Sequence, residues 1–237
     1  MEYHIYKTVR NTNETIKYIN TNFNQNFSNL ALFSQHQTHG RGRGENVWLS
    51  KKGDFTSSFL FNKKFKSHML GQINILIVHG LIKLLEEKMI GLDLKFKWPN
   101  DIYFNEMKLA GILTETTIQK KEINSLIIGI GINFISCPIF NNKKSARMID
   151  FSTKSTPLNM FFTLSEVFEN YFNNFINQDF LKLSKELSSK MLKKNEIITV
   201  KQNNKTFKGE FIRIDKYGAI VIQTTNGCIN FSYGETL

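Results

Sequence analysis

The chain has 237 residues, of which 41% are hydrophobic, and this length and composition exclude a disordered polyelectrolyte. Its 31 lysine and arginine residues outnumber its 20 aspartate and glutamate residues, and the resulting charge of +11 raises the possibility of nucleic-acid binding. The basic residues occur as pairs along the whole chain, such as Lys51-Lys52 and Lys193-Lys194, which favours a solvated surface instead.

The cysteines and the apolar runs indicate a cytoplasmic setting. Cys137 and Cys228 are the only cysteines, and neither has a CxxC partner or a histidine at ligand spacing, so no structural zinc site is expected. No signal-like segment precedes Tyr3, and no uninterrupted apolar stretch approaches the ~20 residues of a membrane span. We therefore predict a cytoplasmic protein that makes no membrane contact.

The first part of the chain predicts a helix, two strands and a second, longer helix. Residues 11–13 (Asn-Thr-Asn) resemble a helix start, with the acidic Glu14 in the first turn. Short apolar runs predict buried strands at 30–33 and 54–61. Apolar residues at helical spacing predict a packed helix from Ser67 to about residue 90, followed by a glycine stop.

The middle of the chain predicts consecutive strands over 94–98, 102–104, 107–116 and 123–134. Asn105-Glu106 is a plausible hairpin turn between the second and third of these. Strands that follow one another in this way indicate an α+β fold with a mixed or largely antiparallel sheet and packed helices.

The last part predicts a loop, two helices and a small β module. Residues 136–156 lack a regular pattern, and Pro157 suits the first turn of an amphipathic helix that is continued by another ending near Met191. From Asn195, short alternating runs separated by turn-prone residues predict an all-β module of about 45 residues. We therefore divide the chain into domains 1–190 and 191–237.

The loop Gly40-Arg41-Gly42-Arg43-Gly44, closed by Trp48, concentrates groups that can hold a phosphate. Glycines let the backbone approach a ligand closely, and guanidinium groups match phosphate or carboxylate oxygens two at a time. Taken alone, the loop is equally compatible with a flexible solvated segment or a nucleic-acid contact.

Three downstream segments carry further candidates. In Lys97-Trp98-Pro99-Asn100-Asp101, the proline fixes a turn that aims an amide and a carboxylate at one point, although this is also ordinary turn chemistry. In Lys108-Leu109-Ala110-Gly111, the lysine opens a strand and could reach a ligand lying across the sheet. In Gly129-Ile130-Gly131-Ile132-Asn133, two glycines leave room for a flat ligand, but the following helix of a dinucleotide fingerprint is missing.

In this order and spacing, the four segments resemble the catalytic domain of biotin protein ligases. The resemblance runs from about Tyr6 to the C-terminus, where the β module with Gly234-Glu235 near its end is similar to the SH3-like domain of that family. It implies a class II synthetase-like catalytic domain with a small SH3-like β-barrel. It also implies an enzyme that makes biotinyl-5′-AMP from biotin and ATP, with Mg²⁺, and transfers biotin to a specific lysine of a biotin carboxyl carrier protein.

The resemblance also implies roles for individual residues. Lys108 and Arg43 would be catalytic, holding the biotin carboxylate and the α-phosphate together while the loop closes over the adenylate as a mobile lid. The implied biotin-binding residues are Asn11, Thr12, Asn13, Gln37, Gly40, Arg41, Gly42, Arg43, Lys108, Gly111, Gly129 and Gly131. The implied ATP-binding residues are Arg41, Arg43, Trp48 (packing on adenine), Asn100, Lys108 and Asn133. Asp101, together with Asn100, would organise Mg²⁺ or Lys108.

The sequence departs from the family pattern at two places. Asn11 stands where a serine is common, and Gly44-Glu45-Asn46-Val47 lacks the extra basic residues that some members carry, which predicts a weaker grip on pyrophosphate. Because the pattern begins within the first dozen residues, we expect a monofunctional ligase, monomeric or homodimeric, that binds no DNA operator. Its expected partner is the biotin carboxyl carrier domain of a biotin-dependent carboxylase.

Two other functions compete with this interpretation. A lipoate-protein ligase shares the fold and the adenylate chemistry, but does not combine the Lys-Trp-Pro-Asn-Asp and Gly-Arg-Gly-Arg segments. A basic nucleic-acid module with a β-barrel tail would need clustered charge and stacking aromatics, and the sequence supplies neither clearly.

Overall fold

The computed structural model describes residues 1–22, 29–89, 91–140, 143–151 and 155–237. The elements in chain order are β1 (Glu2–Tyr6), α1 (Thr12–Asn22), β2 (Asn29–Ser34), β3 (Gly40–Arg41), β4 (Val47–Trp48), β5 (Phe55–Phe61), β6 (Phe65–Lys66), α2 (Leu70–Lys88), β7 (Leu94–Lys97), β8 (Asp101–Phe104), β9 (Met107–Gln119), β10 (Glu122–Ile132), β11 (Ile139–Phe140), β12 (Lys143–Lys144), α3 (Pro157–Asn173), α4 (Phe180–Ser189), β13 (Ile197–Gln202), β14 (Lys205–Ile214), β15 (Ile220–Thr224), β16 (Gly227–Phe231) and β17 (Glu235–Thr236).

The centre of the fold is a mixed sheet whose strands lie in the order β1-β2-β5-β10-β9-β8-β7, with β6 also pairing with β10. Only β1 and β2 run parallel, and the other neighbours are antiparallel. This confirms the predicted α+β class. Strand β1 was not predicted, because it is a mostly exposed edge strand without the apolar run that marks a buried strand.

The helices cover both faces of this sheet. Helix α1 packs its Ile16 and Ile19 on one face, against Leu30, Leu60 and Ile127. Helices α2 and α3 pack on the opposite face, where Phe161 and Phe168 contact the ring of Phe59, and α4 packs against α2 and β14. The face with the short α1 is therefore only partly covered.

The predicted helix boundaries agree with local capping. The backbone N–H of Glu14 donates to Asn11 Oδ1 at 3.1 Å, which makes Asn11 the cap of α1. Helix α2 follows a 3-10 turn over Ser67–Met69 and is succeeded by Gly91, which has a φ of +83°. By length and composition, Ser67–Lys88 could also cross a membrane, but most of it is buried, as in the core helix of a globular fold.

The predicted loop 136–156 is partly structured. The short strands β11 and β12 pair with each other, and Met148–Asp150 forms a 3-10 turn. Residues 141–142 and 152–154 of this prediction lie outside the described residues. Two-residue strands have no periodicity that a sequence pattern could reveal.

The predicted C-terminal β module is confirmed as a five-stranded antiparallel sheet in the order β16-β15-β14-β13-β17. It packs on the rest of the chain: Trp98 Nε1 donates to the Gly218 carbonyl at 3.2 Å, and the N–H of Ile214 donates to Ser188 Oγ at 2.8 Å. Buried residues of both parts belong to one hydrophobic cluster. The domain boundary at residue 190 stays a prediction.

Gly71 of α2 lies directly against the backbone of this module at Tyr217 and Gly218. A Cβ at Gly71 would overlap the carbonyl oxygen of Tyr217, and a backbone oxygen cannot swing away as a side chain can. We expect Gly71→Ala to lower the free energy of unfolding by about 1–3 kcal/mol, measured by urea denaturation. The control is Gly80→Ala on the same helix, where the new Cβ meets only side chains, the nearest at 3.1 Å. Equal stability of the two variants would contradict this account.

Candidate functional site

A cleft of about 250 Å³ opens on the sheet face that carries α1. It is lined by the start of α1, the Gly40–Trp48 loop, the turn 97–101, strands β9 and β10, and the C-terminal strand β17. The predicted site residues that line it are Asn11, Thr12, Asn13, Gln37, Arg41, Gly42, Arg43, Trp48, Asn100, Asp101, Lys108, Gly111, Gly129, Gly131 and Asn133. Gly40 does not line it. The four segments therefore meet at one place.

Three glycines form the floor of the cleft, but protein side chains lie over them. A Cβ at Gly131 would lie 2.5 Å from Nε1 of Trp48, and one at Gly111 would lie 2.8 Å from Cζ3 of the same indole. A Cβ at Gly129 would lie 2.5 Å from Asn13 Oδ1. The space that the sequence suggested for a flat ligand is thus filled by Trp48 and Asn13, and a ligand would contact these side chains first.

The Gly40–Trp48 loop is a small hairpin that places this indole. Gly40 pairs with Trp48 and Arg41 pairs with Val47, while the N–H of Gly42 donates to the Asn46 carbonyl at 2.7 Å. Gly40 itself is buried, and a Cβ there would lie 2.7 Å from Gln37 Nε2. The lack of a side chain at Gly40 therefore allows close packing at the base of the hairpin and does not make room for a ligand.

A cluster of buried polar residues lies at the α1 side of the cleft. Asn11, Thr12, Asn13 and Gln37 are each less than a tenth exposed. Asn11 Nδ2 donates to the His39 carbonyl at 3.0 Å, and the N–H of Thr12 donates to Gln37 Oε1 at 3.4 Å. Because protein partners hold these groups in place, the cluster presents a fixed set of donors and acceptors.

The opposite side of the cleft is charged. Strand pairing sets Asp101 opposite Gly111, and Lys108 Nζ lies 2.8 Å from Asp101 Oδ2 and 5.4 Å from the Trp48 ring centre. The other oxygen of Asp101 is buried and has no hydrogen-bond partner among the described residues. Buried polar atoms are normally satisfied, so this oxygen is suited to a bound cation or donor.

The residues that line the cleft could supply only part of the ligands of a metal ion. No cluster of three or more His, Cys, Asp and Glu residues that could hold a metal occurs in the part of the chain that the structure describes. Asp101 can offer its unpartnered oxygen, but Mg²⁺ prefers six oxygen ligands. A magnesium ion here would therefore take most of its ligands from phosphate groups and water.

Lys97 is a site residue that was not assigned a role from the sequence, although it belongs to one of the four segments. It lines the cleft, and burial lowers its pKa, while nearby Asp101 opposes that shift. Its neighbour Tyr103 has a pKa raised to about 12, first by burial and then by the Asp101 carboxylate. The half-buried ammonium of Lys97 adds to the positive charge facing the cleft.

Arg43 joins the loop to the C-terminal module. Its Nη1 and Nη2 both donate to the Gly234 carbonyl at 3.0 Å, and Nη1 lies 3.5 Å from Asn100 Oδ1. Thr236 Oγ1 donates to the Trp98 carbonyl at 2.8 Å, and Glu235 also lines the cleft. The C-terminal strand therefore completes the site, which the local sequence pattern could not reveal.

Two predicted nucleotide-binding amides are already engaged by the backbone. Asn133 Nδ2 donates to the carbonyls of Lys108 and Ala146 at 3.1 and 3.2 Å, and Asn100 Nδ2 donates to the Ile112 carbonyl at 2.9 Å. Asn133 could therefore reach a nucleotide only through its carbonyl oxygen, whereas the Asn100 amide nitrogen has a second hydrogen to donate. Both hold the strands around Lys108 in place.

The model of the biotin/lipoate A/B protein ligase family matches residues 7–133, more than half of the chain. The chain belongs to this family. It is 27% identical over 205 residues to the bifunctional ligase/repressor BirA of Bacillus subtilis, covering 83% of this chain and 62% of that protein. It is 35% identical over 113 residues to the human biotin--protein ligase, covering 44% of this chain and 15% of the relative. The chain thus spans less than two thirds of the length of these relatives.

Solved structures extend the similarity over the whole chain. The biotin protein ligase of Aquifex aeolicus in complex with biotin and ATP has a TM-score of 0.80 and 26% identity, and the match covers 100% of this chain and 97% of that one. The Leishmania major enzyme in complex with biotinyl-5-AMP has a TM-score of 0.63 and 18% identity, with 100% and 98% covered, which shows the shared fold. Both the central sheet and the C-terminal sheet are therefore those of this family.

Proposed function

We propose that this protein is an ATP-dependent biotin–protein ligase. It forms biotinyl-5′-AMP and pyrophosphate from biotin and ATP, and it then transfers biotin to a lysine of a carrier protein with release of AMP. The observation that carries the proposal is the division of one cleft into a buried amide side and a cationic side that meet at Trp48. The similarity over the full length of the Aquifex aeolicus ligase, whose structure holds biotin and ATP, supports the same substrates.

The buried amides suit the uncharged head of biotin. Asn11, Thr12, Asn13 and Gln37 offer donors and acceptors in fixed positions, and a ureido group has both an acceptor oxygen and two N–H donors. A site with pre-oriented polar partners rejects ligands that lack the matching groups, because those partners would be left unsatisfied. Lipoate has no ureido group, so this side of the cleft favours biotin.

The cationic side suits the reacting anions. The first step joins a carboxylate to the α-phosphate, so two negative groups must approach each other. Lys108 lies where it can contact both, while Arg43 and Lys97 add charge along the phosphates. Asp101 holds the Lys108 ammonium in place.

Magnesium and adenine complete the proposed assignment. Bound Mg²⁺ would neutralise phosphate charge, with the free oxygen of Asp101 as its protein ligand. Trp48 would present its outer face to the adenine ring, since its inner face lies on Gly111 and Gly131. The hairpin that carries Trp48 would then shield the mixed anhydride from water.

The test is a substrate comparison with purified protein, Mg²⁺, ATP and a biotin carboxyl carrier domain. We expect pyrophosphate release that depends on biotin, and a mass increase of the carrier equal to one biotinyl group. The control replaces biotin with lipoate and the carrier with its lysine-to-arginine variant. Activity with lipoate alone would assign the protein to the lipoate branch of the family and would refute the proposal.

The remaining expectations about partners stay predictions. One of them is the oligomeric state, monomer or homodimer. The cytoplasmic location and the absence of operator binding likewise rest on the sequence interpretation. The acceptor is proposed by class, as the carrier domain of a biotin-dependent carboxylase.

A further inference from the structure

Glu115, on β9, joins two parts of the site that are distant in sequence. Its Oε2 accepts a hydrogen bond from Asn13 Nδ2 at 2.8 Å, and its Oε1 accepts one from Arg41 Nη2 at 3.2 Å. Asn13 belongs to α1 and Arg41 to the Gly40–Trp48 loop. A single carboxylate thus bridges the amide side of the cleft and the hairpin above it.

The bridge fixes the orientation of the Asn13 amide. Ser58 Oγ donates to Asn13 Oδ1 at 2.6 Å, while Glu115 accepts from Asn13 Nδ2. A side-chain amide held between a donor and a carboxylate cannot exchange its oxygen and nitrogen without losing both bonds. Glu115 and Ser58 therefore determine which polar atoms Asn13 offers to a ligand in the cleft.

The Glu115 carboxylate also forms an ion pair with Arg41. The guanidinium lies 3.5 Å from Glu14 Oε1 and 3.2 Å from Glu115 Oε1. Two carboxylates, from α1 and β9, thus hold Arg41 at the α1 side of the loop. Arg43, two residues further along the loop, instead donates hydrogen bonds to the Gly234 carbonyl. The two arginines of the loop therefore have different tasks.

We propose that Glu115 is a positioning residue that couples the Gly40–Trp48 loop to the biotin-binding amides, with Arg41 as the anchor of the loop. The inference rests on the proposed function, since it concerns the biotin end of that site. Glu115 acts through Asn13 and Arg41 and contacts no reacting atom. Its ion pair with Arg41 is about half exposed and contributes little alone, whereas its hydrogen bond to the buried Asn13 contributes more.

The first test is biotin binding by isothermal titration calorimetry. We expect Glu115→Ala to raise the Kd for biotin about 10-fold, because the charged acceptor of Asn13 is lost. Glu115→Gln keeps an oxygen for Asn13 but replaces the carboxylate oxygen that Arg41 contacts with an NH2 group, so its Kd should rise about 3-fold or less. The matched control is Glu14→Gln, which removes the other carboxylate beside Arg41 and leaves Asn13 untouched. Its Kd should stay within about 2-fold of wild type.

The second test measures how firmly the Gly40–Trp48 loop is held. It follows cleavage at one peptide bond, so it separates local loosening of the loop from a general loss of protein stability. Trypsin cleaves after arginine, so an Arg41 freed from its carboxylates becomes a better site. We expect cleavage after Arg41, identified by mass spectrometry, to be several times faster in Glu115→Ala than in wild type without ligand. Biotin and ATP should slow it again in wild type. The KM for biotin should rise by a larger factor than the turnover number falls, because Glu115 contacts the biotin-binding amide and no reacting atom.

The outcomes separate this inference from the proposed function. If wild-type protein does not bind biotin, the proposed function is wrong. If wild type binds biotin and folded Glu115→Ala binds it equally, the bridge is refuted and the function stands. If Glu115→Ala does not fold, Glu115→Gln becomes the test variant. Trypsin cleavage after Arg41 at the wild-type rate in Glu115→Gln would overturn the anchoring of Arg41. An equal effect of Glu14→Gln on biotin binding would also overturn the role of Asn13.

Discussion

Lys108→Ala is expected to lower the rate of biotin-dependent adenylate formation about 100- to 1,000-fold. Lys108 is the cation that lies between Asp101 and the Trp48 ring, so it is the group placed to hold the carboxylate and the α-phosphate together. One oxygen of the Asp101 carboxylate already has no hydrogen-bond partner, and removal of the Lys108 ammonium would leave the other oxygen unpaired as well. That uncompensated charge would repel both anions. The measurement is ATP–pyrophosphate exchange with saturating biotin.

Two controls separate this effect from a loss of general charge. Lys95→Ala removes a lysine that pairs with Asp93 on the edge strand, away from the cleft, and should leave exchange unchanged. Lys108→Arg keeps the charge on a bulkier, planar group and should recover only part of the activity. Retention of more than about a tenth of wild-type exchange by folded Lys108→Ala would contradict the catalytic role.

The hairpin that carries Asp101 and Lys108 could be predicted from the sequence because it depends on local structure. Asn105 and Glu106 have φ values of +46° and +60°, as a tight hairpin turn requires, and this turn sets the register of β8 and β9. Continued from this turn without interruption, the pairing would place Asp101 opposite Ala110. An irregularity between Ile102 and Tyr103 shifts the pairing by one residue, so that Asp101 lies opposite Gly111. The turn signal predicts the hairpin, whereas the register shift and the contact of Lys108 Nζ with Asp101 Oδ2 are seen only in the structure.

The contacts missed by the sequence analysis depend on long-range packing. Glu115 reaches Asn13 across 102 positions, and Arg43 reaches Gly234 across 191. No local pattern marks an acidic residue on a polar strand end, or a glycine carbonyl near the C-terminus, as part of a site. The indole position of Trp48 is a third example, since it follows from a hairpin with only two residues in each strand. Such contacts are determined by the assembled fold.

Gly131→Ala is the second change expected to have a large effect. The backbone of Gly131 lies in a strand that alanine can adopt, so the cost is steric: the new Cβ would lie 2.5 Å from Nε1 of Trp48. The indole would have to leave the sheet floor and enter the space proposed for adenine. We expect kcat/KM for ATP to fall about 100-fold, since displacements of about 1 Å at a reacting site have effects of this size. Steady-state kinetics at saturating biotin measures it.

A second substitution can show that the effect passes through Trp48. Trp48→Phe replaces the indole with a smaller ring, so Gly131→Ala should cost much less in that background than in wild type. Gly129→Ala is the matched change two residues earlier, where the new Cβ would meet Asn13 Oδ1 and not Trp48. It should raise KM for biotin more than KM for ATP, because Asn13 belongs to the amide side of the cleft. If both glycine variants impaired the same substrate equally, the division of the cleft into a biotin side and a nucleotide side would be wrong.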